Sequence, residues 1–180
     1  EEFPNALVNF IIKPVFPFEH LLKCIKENIE LLRSIPIIGL TEKELGDTVQ
    51  KRLLNLISLR KLLASLNWNG KIHIFGGLEP NLSILYYFAG ADIFDGLSWQ
   101  RMRYRTNSTL WDPFIYNISR NEFENKYLMM IDNLAVLHDL SNDLSCEADN
   151  RTNKMIQLEE LLKSTEISIN KIISELEGQI

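Results

Sequence analysis

Four short apolar runs alternate with segments of helical periodicity along the first half of this chain. The runs span residues 7–12, 35–40, 71–75 and 92–94, and their length and apolar content are typical of buried strands. Strands that are separated by helices at this rhythm form right-handed βαβ units in a parallel sheet. The sequence therefore predicts an α/β fold with about four parallel strands.

Local signals mark where the helices between these strands begin and end. Thr41 and Glu44 match the Thr-x-x-Glu capping box, which predicts a helix start directly after the second strand. Gly46 predicts a break in that helix, which then continues to about residue 66. Pro80 suits the first turn of the next helix, and Gly90 predicts its end.

The second half of the chain has a different character. We expect residues 100–121 to be irregular, and residues 122–144 and 153–176 to form two helices. The last helix carries an a/d stripe over three heptads: Met155, Leu158, Leu162, Thr165, Ile169, Ile172 and Leu176. An antiparallel helical hairpin that packs on the sheet domain or on a second subunit fits this pattern. The predicted domains are residues 1–120 and 121–180.

Composition narrows the function classes. A formal net charge of −5 over 180 residues argues against a chain-wide basic footprint for nucleic acid, but not against a local patch. No apolar run approaches the ~20 residues that cross a bilayer, and no basic leader precedes an apolar stretch. Cys24 and Cys146 have no metal-type spacing. We expect a reduced, cytoplasmic protein without metal, cofactor or membrane contact, cut from something longer ahead of Glu1.

The candidate chemistry lies at the carboxyl ends of the strands, where loops and helix N-termini converge on a ligand. Three of the four ends carry glycine: Gly39 before Leu40, the pair Gly76-Gly77, and Gly96 after Asp95. Glycine lets backbone N–H groups approach a flat or anionic ligand closely. The alternative is that these glycines only make tight turns.

Two aspartates and one histidine in these strands are candidates for a role. Asp92 and Asp95 are three residues apart on one strand, so their side chains point to opposite faces and do not form an acid/base pair. Asp95 lies at the functional edge, where the alternative is a cap on the next turn, and Asp92 lies at the opposite edge or in the wall. His73 alternates with Ile72 and Ile74 and is either an interior histidine or a ligand contact.

A basic and aromatic cluster follows Asp95 directly. Arg101, Arg103 and Arg105 stand close in sequence to three aromatic residues: Trp99, Tyr104 and Trp111. Arginine and aromatic side chains together suit phosphate contact and base stacking. A solvated loop is the alternative.

Three segments together resemble the tRNA-guanine transglycosylase superfamily: GADIFDGLSW at 90–99, KIHIFGGLEPNL at 71–82 and IIGLTEKELG at 37–46. The resemblance covers about residues 5 to 105. It implies a (β/α)8 TIM barrel enzyme that exchanges guanine in a nucleic acid for a 7-deazaguanine. Asp95 would be the nucleophile, forming a covalent glycosyl-enzyme intermediate. The backbone at Gly39 and Leu40 would contact the base, with Gly76 and Gly77 also at the substrate and Arg101 and Arg103 at the nucleic acid.

The departures from that family are informative. Four strands are present where the barrel has eight, so the chain corresponds to its C-terminal half, followed by the helical hairpin. The general-base Asp would come with the missing half, from another chain or segment. The Cys-x-Cys-x-x-Cys…His zinc site of the tRNA enzymes is absent from the sequence, and Leu97-Ser98-Trp99 replaces their Pro-Thr-Arg. These differences favour DNA over tRNA as the substrate.

Two other functions remain alternatives. The chain could be a non-catalytic member of the superfamily that binds nucleic acid or pairs with an active subunit, with homo-oligomers formed through its C-terminal helices. It could also be a small-molecule α/β enzyme of another family with similar strand ends.

Overall fold

A computed structural model of the chain describes residues 8–13, 17–105, 108–111, 121–163 and 175–176. Four strands form a parallel sheet in chain order: β1 (Asn9–Ile11), β2 (Ile37–Thr41), β3 (Lys71–Phe75) and β4 (Ile93–Phe94). The helices between them are α1 (Phe18–Glu27), α2 (Ile29–Leu32), α3 (Val49–Ser65) and α4 (Pro80–Ala89). The α/β prediction is confirmed. The ends of β2, β3 and β4 lie within two residues of the ends that the sequence predicts.

The two faces of this sheet have different surroundings. Ile38, Leu40, Ile72 and Ile74 point to one face and are fully buried in a cluster with leucines of α3 and α4. Strand residues alternate between faces, so the neighbouring positions point the other way. That second face, which we call the open face, carries Asn9, Gly39, His73 and Phe75. The described helices thus cover one side of the sheet, and Asn9 and His73 lie on the other.

The predicted capping residues lie at helix ends in the structure, but the first of these helices is a 3-10 turn and not an α-helix. Thr41 and Glu44 form the capping box, but it begins a single 3-10 turn at Glu42–Leu45 rather than a long helix. The long helix α3 starts after Gly46, and the Thr48 hydroxyl accepts a hydrogen bond from Lys51 N at 3.2 Å as its N-cap. Gly90 ends α4 in the left-handed region at φ 118°.

The prediction that residues 100–121 are irregular is wrong in part. A 3-10 turn at Ser98–Gln100 leads into β5 (Met102–Arg105), which pairs in antiparallel fashion with β6 (Ser108–Trp111). Strands of four residues are too short to show a clear alternation, and this hairpin is held by a contact distant in sequence. Asn133 is fully buried and accepts from Tyr104 N at 2.8 Å while donating to Trp99 O and Met102 O at 2.6 Å.

Both C-terminal helices are present, as α5 (Glu122–Cys146) and α6 (Arg151–Lys163), joined by a 3-10 turn at Ala148–Asn150. Leu158 and Leu162 of the heptad stripe are buried in the same cluster as the sheet, with Met155 packed against it. Leu176 also belongs to that cluster, whereas Thr165, Ile169 and Ile172 lie outside the described residues. The stripe therefore packs on the sheet domain, and its described members are not available to a second subunit.

Among the residues that the structure describes, no helix is both long and apolar enough to span a bilayer.

Candidate functional site

The candidate site is centred on Asp95, the residue that follows β4. One carboxylate oxygen, Oδ1, accepts a hydrogen bond from the backbone N–H of Gly76 at 2.9 Å. The Asp95 side chain is 49% exposed. A carboxylate held at one oxygen by a backbone donor and half open to solvent has a defined orientation and remains accessible to a reactant.

Gly76 leaves the space beside Asp95 clear. Its φ of 82° lies in the left-handed region, where any side chain would be strained. A Cβ built there would meet no described atom within 4 Å, so a ligand could approach the backbone at this point. Gly77 differs, because a Cβ there would lie 2.9 Å from Ile74 Cγ2, and its carbonyl accepts from the buried Ser83 hydroxyl at 3.0 Å. Gly76 faces the site, and Gly77 serves packing.

His73 lies next to Asp95 on the open face. Its Nε2 is 3.5 Å from Asp95 Oδ2, and its Nδ1 is 2.8 Å from the side-chain nitrogen of Asn9. The Phe75 ring packs on the imidazole with the ring centroids 4.0 Å apart. Burial lowers the pKa of His73, and the nearby Asp95 carboxylate offsets this lowering only in part. Burial thus favours the neutral form of the His73 imidazole.

Gly39 and Leu40, the residues predicted to contact a base, both lie in close packing with neighbouring side chains. A Cβ on Gly39 would lie 2.4 Å from Cε2 of Phe75 and 2.9 Å from Oδ1 of Asn9. The absence of a side chain at Gly39 thus makes room for these two neighbours. The Leu40 side chain is fully buried on the helix side, so only its backbone could meet a ligand. Base contact by Gly39 and Leu40 stays a prediction, and Phe75 is the aromatic surface beside them.

Asp92 has no place in this site. As the three-residue spacing predicts, it points to the helix-covered face, with its side chain only 9% exposed. It pairs with the Arg60 guanidinium and with Arg151 Nη1 at 2.7 Å, and accepts from Ile72 N at 2.8 Å. Burial raises the pKa of Asp92, but Arg60, Arg151 and the Ile72 N–H together lower it below its usual range. Asp92 is a structural carboxylate in the wall.

A buried tyrosine ties together the two loops that carry the site. The Tyr104 hydroxyl donates to Leu78 O in the loop after β3 and lies 2.6 Å from the hydroxyl of Ser98 in the loop after β4. Ser98 also donates to Leu78 O at 2.9 Å. Burial also raises the pKa of Tyr104. The Tyr104 residue is only 3% exposed, so its ring packs in the interior and is not a platform for base stacking. No signal in the sequence identified this role.

The two arginines predicted to contact nucleic acid differ in their surroundings. Arg101 is exposed, whereas Arg103 Nη1 lies 3.6 Å from Asp132 of α5 and its side chain is largely covered. Phosphate contact by either residue stays a prediction, and the side chain of Arg105 lies outside the described residues.

A separate cavity of about 340 Å³ lies between β4, α4 and α5. It is lined mainly by apolar side chains such as Leu78, Phe94 and Leu144, and it does not include Asp95 or His73. The residues that the structure describes contain no group of three or more His, Cys, Asp or Glu that could hold a metal ion.

Comparison of the chain with protein-family models, with curated proteins and with solved structures finds no significant match. The assignment of a function therefore depends on the residues and their geometry.

Proposed function

We propose that this chain forms the C-terminal half of a barrel-type transglycosylase that exchanges guanine in a nucleic acid, DNA in preference to tRNA, for a 7-deazaguanine base. The observation that carries the proposal is the Asp95 carboxylate at the carboxyl end of β4, half exposed and held at one oxygen by Gly76 N–H. The sequence around it, GADIFDGLSW, is the segment that resembles the nucleophile strand of that superfamily.

The chemistry requires one nucleophilic carboxylate in this half. An Asp95 oxygen forms a bond to C1′ of the target nucleotide while the C1′–N9 bond breaks and its electron pair leaves with guanine, which takes up a proton. The incoming 7-deazaguanine then attacks C1′ through N9 and loses its proton, and the Asp95 ester bond breaks to regenerate the carboxylate. The general acid/base group for these proton transfers would belong to the other half of the barrel.

The sheet supports the half-barrel interpretation. Its four strands follow chain order without a reversal, and the helices that the structure describes pack on one face. In a barrel the strands follow each other in this way, and the uncovered face becomes the interior. Val8, Phe10 and Ile11, at or beside β1, are exposed apolar residues, as an edge strand that awaits a neighbour would have. A further chain or segment with four strands would close the barrel.

Base exchange can be tested directly. The protein, with any chain that co-purifies with it, is incubated with labelled guanine and with single-stranded DNA, duplex DNA or tRNA. We expect label to enter DNA, and a covalent protein–DNA adduct on a denaturing gel. Asp95→Asn should abolish both. Asp139→Asn, the same chemical change at a carboxylate that is 78% exposed on α5, is the matched control and should behave like the parent protein. Exchange by Asp95→Asn at the parent rate would contradict the proposal.

A second function has one observation in its favour, the incompleteness of the sheet. Within the described residues, β1 pairs only with β2 and β4 only with β3. A chain of this kind could serve as a non-catalytic partner that binds nucleic acid or an active subunit. Native mass spectrometry separates the two functions. A co-purifying chain together with adduct at Asp95 supports the enzyme, whereas a stable homodimer that forms no adduct supports the non-catalytic partner.

A further inference from the structure

Asn9, His73 and Asp95, which lie in or directly after three different strands, meet on the open face. Asn9 on β1 reaches across β2 to His73 on β3, and Asp95 follows β4. The crossing is possible because Gly39, which lies opposite His73 in the strand register, has no side chain to block it. His73 and Asp95 lie in two of the segments that resemble the transglycosylase superfamily, but the resemblance assigns no role to His73 or to its contact with Asn9.

We propose that His73 is a positioning residue for Asp95, and that Asn9 sets the tautomer in which His73 acts. With the Asn9 amide oriented as in the structure, its NH2 group can only donate, so Nδ1 of His73 must accept. The proton of the neutral ring is then on Nε2. Nε2 lies 3.5 Å from Asp95 Oδ2, so this N–H is placed to donate to the carboxylate and orient it. The role of this contact in catalysis rests on the proposed function. The tautomer of His73 depends only on its contact with Asn9.

The surroundings of Nε2 support this assignment. The atom is buried and has no hydrogen-bond partner among the described residues, and its nearest carboxylate oxygen is Asp95 Oδ2 at 3.5 Å. An unsatisfied buried donor is unfavourable, and a small rotation of the half-exposed Asp95 side chain would satisfy it. Gly76 N–H would then hold Oδ1 while His73 holds Oδ2, so both oxygens have a defined direction.

Among the residues that the structure describes, few charged groups surround this imidazole. Asp95 faces it from the end of β4, and Lys71 precedes it on the same face of β3, with its Nζ 3.8 Å from Asp92. Gly39, opposite it on β2, and Asn9, whose side chain reaches it from β1, do not titrate. A change in the His73 tautomer or pKa can therefore be assigned to Asn9 or Asp95.

The tautomer can be measured without turnover, by long-range ¹H–¹⁵N correlation spectra of the 180-residue chain. We expect His73 to carry its proton on Nε2. Asn9→Asp offers only acceptor oxygens, so it should move the proton of the neutral ring to Nδ1. Its charge should also raise the His73 pKa, so the tautomer is read at a pH above that pKa. Asn153→Asp, the same substitution at an exposed position of α6, should change neither. An Nδ1–H tautomer in the parent chain would overturn the positioning role whatever the exchange assay gives.

The exchange assay provides a second readout. His73→Gln keeps an N–H donor near the Nε2 position, whereas His73→Leu removes it. We expect His73→Leu to slow adduct formation about 10-fold or more at unchanged nucleic-acid KM, because a misplaced nucleophile loses rate rather than binding. His73→Gln should recover most of the rate. Lys71→Gln is the control on the same strand.

The two proposals fail in different ways. Adduct formation by His73→Leu at the parent rate would remove the positioning role and leave the transglycosylase in place. An Nε2–H tautomer in a protein that forms no adduct with any nucleic acid counts against the proposed function and supports the Asn9–His73 arrangement. If His73→Leu fails to fold, the comparison of His73→Gln with Asn9→Asp still decides, since only the second variant should lose the donor toward Asp95.

Discussion

Asp92 and Asp95 stand three residues apart on either side of β4 and serve opposite faces of the sheet. Asp92 binds Arg60 and Arg151 on the helix-covered side, and Asp95 contacts Gly76 and His73 on the open side. One short strand therefore carries a structural carboxylate and a candidate nucleophile. Because their environments differ, replacement of each carboxylate by an amide should have a different effect.

Asp92→Asn should destabilise the fold strongly. The substitution leaves Arg60 and Arg151 largely buried without their counter-charge, a loss that costs about 3 kcal/mol or more. Urea denaturation followed by circular dichroism measures the change. Asp139→Asn, on the exposed side of α5, should stay within about 0.5 kcal/mol of the parent chain. Equal midpoints for the two variants would show that the Asp92 pairs contribute no net stability.

The same carboxylate predicts a loss of stability in acid. The pKa of Asp92 in the folded chain lies below its ordinary value of 3.8, because Arg60 and the hydrogen bonds outweigh the effect of burial. A group whose folded pKa is lowered contributes its stability above the unfolded pKa and loses it as pH falls through the folded pKa. The urea midpoint should therefore drop below about pH 4. Asp92→Asn should show a shallower drop over the same range, and parallel curves would contradict this origin.

Asp95→Asn should lower the pKa of His73 further. In the parent chain burial already lowers it below 6.5, and the negative charge of Asp95 partly opposes that effect. Removal of the charge leaves burial alone, so protonation of His73 should need a lower pH. An NMR titration of the His73 ring measures the shift, with Asp47→Asn as the exposed control. An unchanged or higher pKa would mean that the two side chains do not interact in solution.

Gly39→Ala should disturb the open face from its centre. The added Cβ would meet Phe75 and the Asn9 side chain at distances well inside van der Waals contact. Overpacking of this kind costs about 2 kcal/mol. Adding Phe75→Leu to Gly39→Ala should recover part of the loss, because the smaller side chain makes room. Gly76→Ala gives a contrast, since it has space but must adopt φ of 82°. A double variant no more stable than Gly39→Ala would show that the clash with Phe75 does not cause the loss of stability.

Tyr104→Phe should loosen the two loops that hold Gly76 and Asp95. The hydroxyl connects Leu78 O with Ser98, and its loss costs about 1 kcal/mol. We expect amide hydrogen exchange at Gly76 to become faster while exchange in β2 stays unchanged. Tyr127→Phe, on an exposed part of α5, is the matched control. Unaltered exchange at Gly76 would show that Ser98 holds the loops without help.

Much of the fold was predictable because it depends on local rules. The alternation of strands and helices, the ends of α4 at Pro80 and Gly90, and the division of Asp92 from Asp95 follow from periodicity, capping and the pleat of a strand. The β5–β6 hairpin was missed because its strands are short and its support comes from Asn133, about thirty residues away along the chain.

The sequence by itself determined that the chain forms parallel βαβ units with polar and glycine residues at the strand ends, since neighbouring residues decide those features. Only the tertiary structure decided which of these residues meet. The Asn9–His73 contact joins residues 64 positions apart, and Arg151 reaches Asp92 over 59 positions. Such pairs depend on strand register and helix packing, which bring together side chains that no local pattern relates. Gly39 is a further example. The tertiary structure alone shows why a glycine is required there, because Phe75 and Asn9 occupy the space that a side chain would fill.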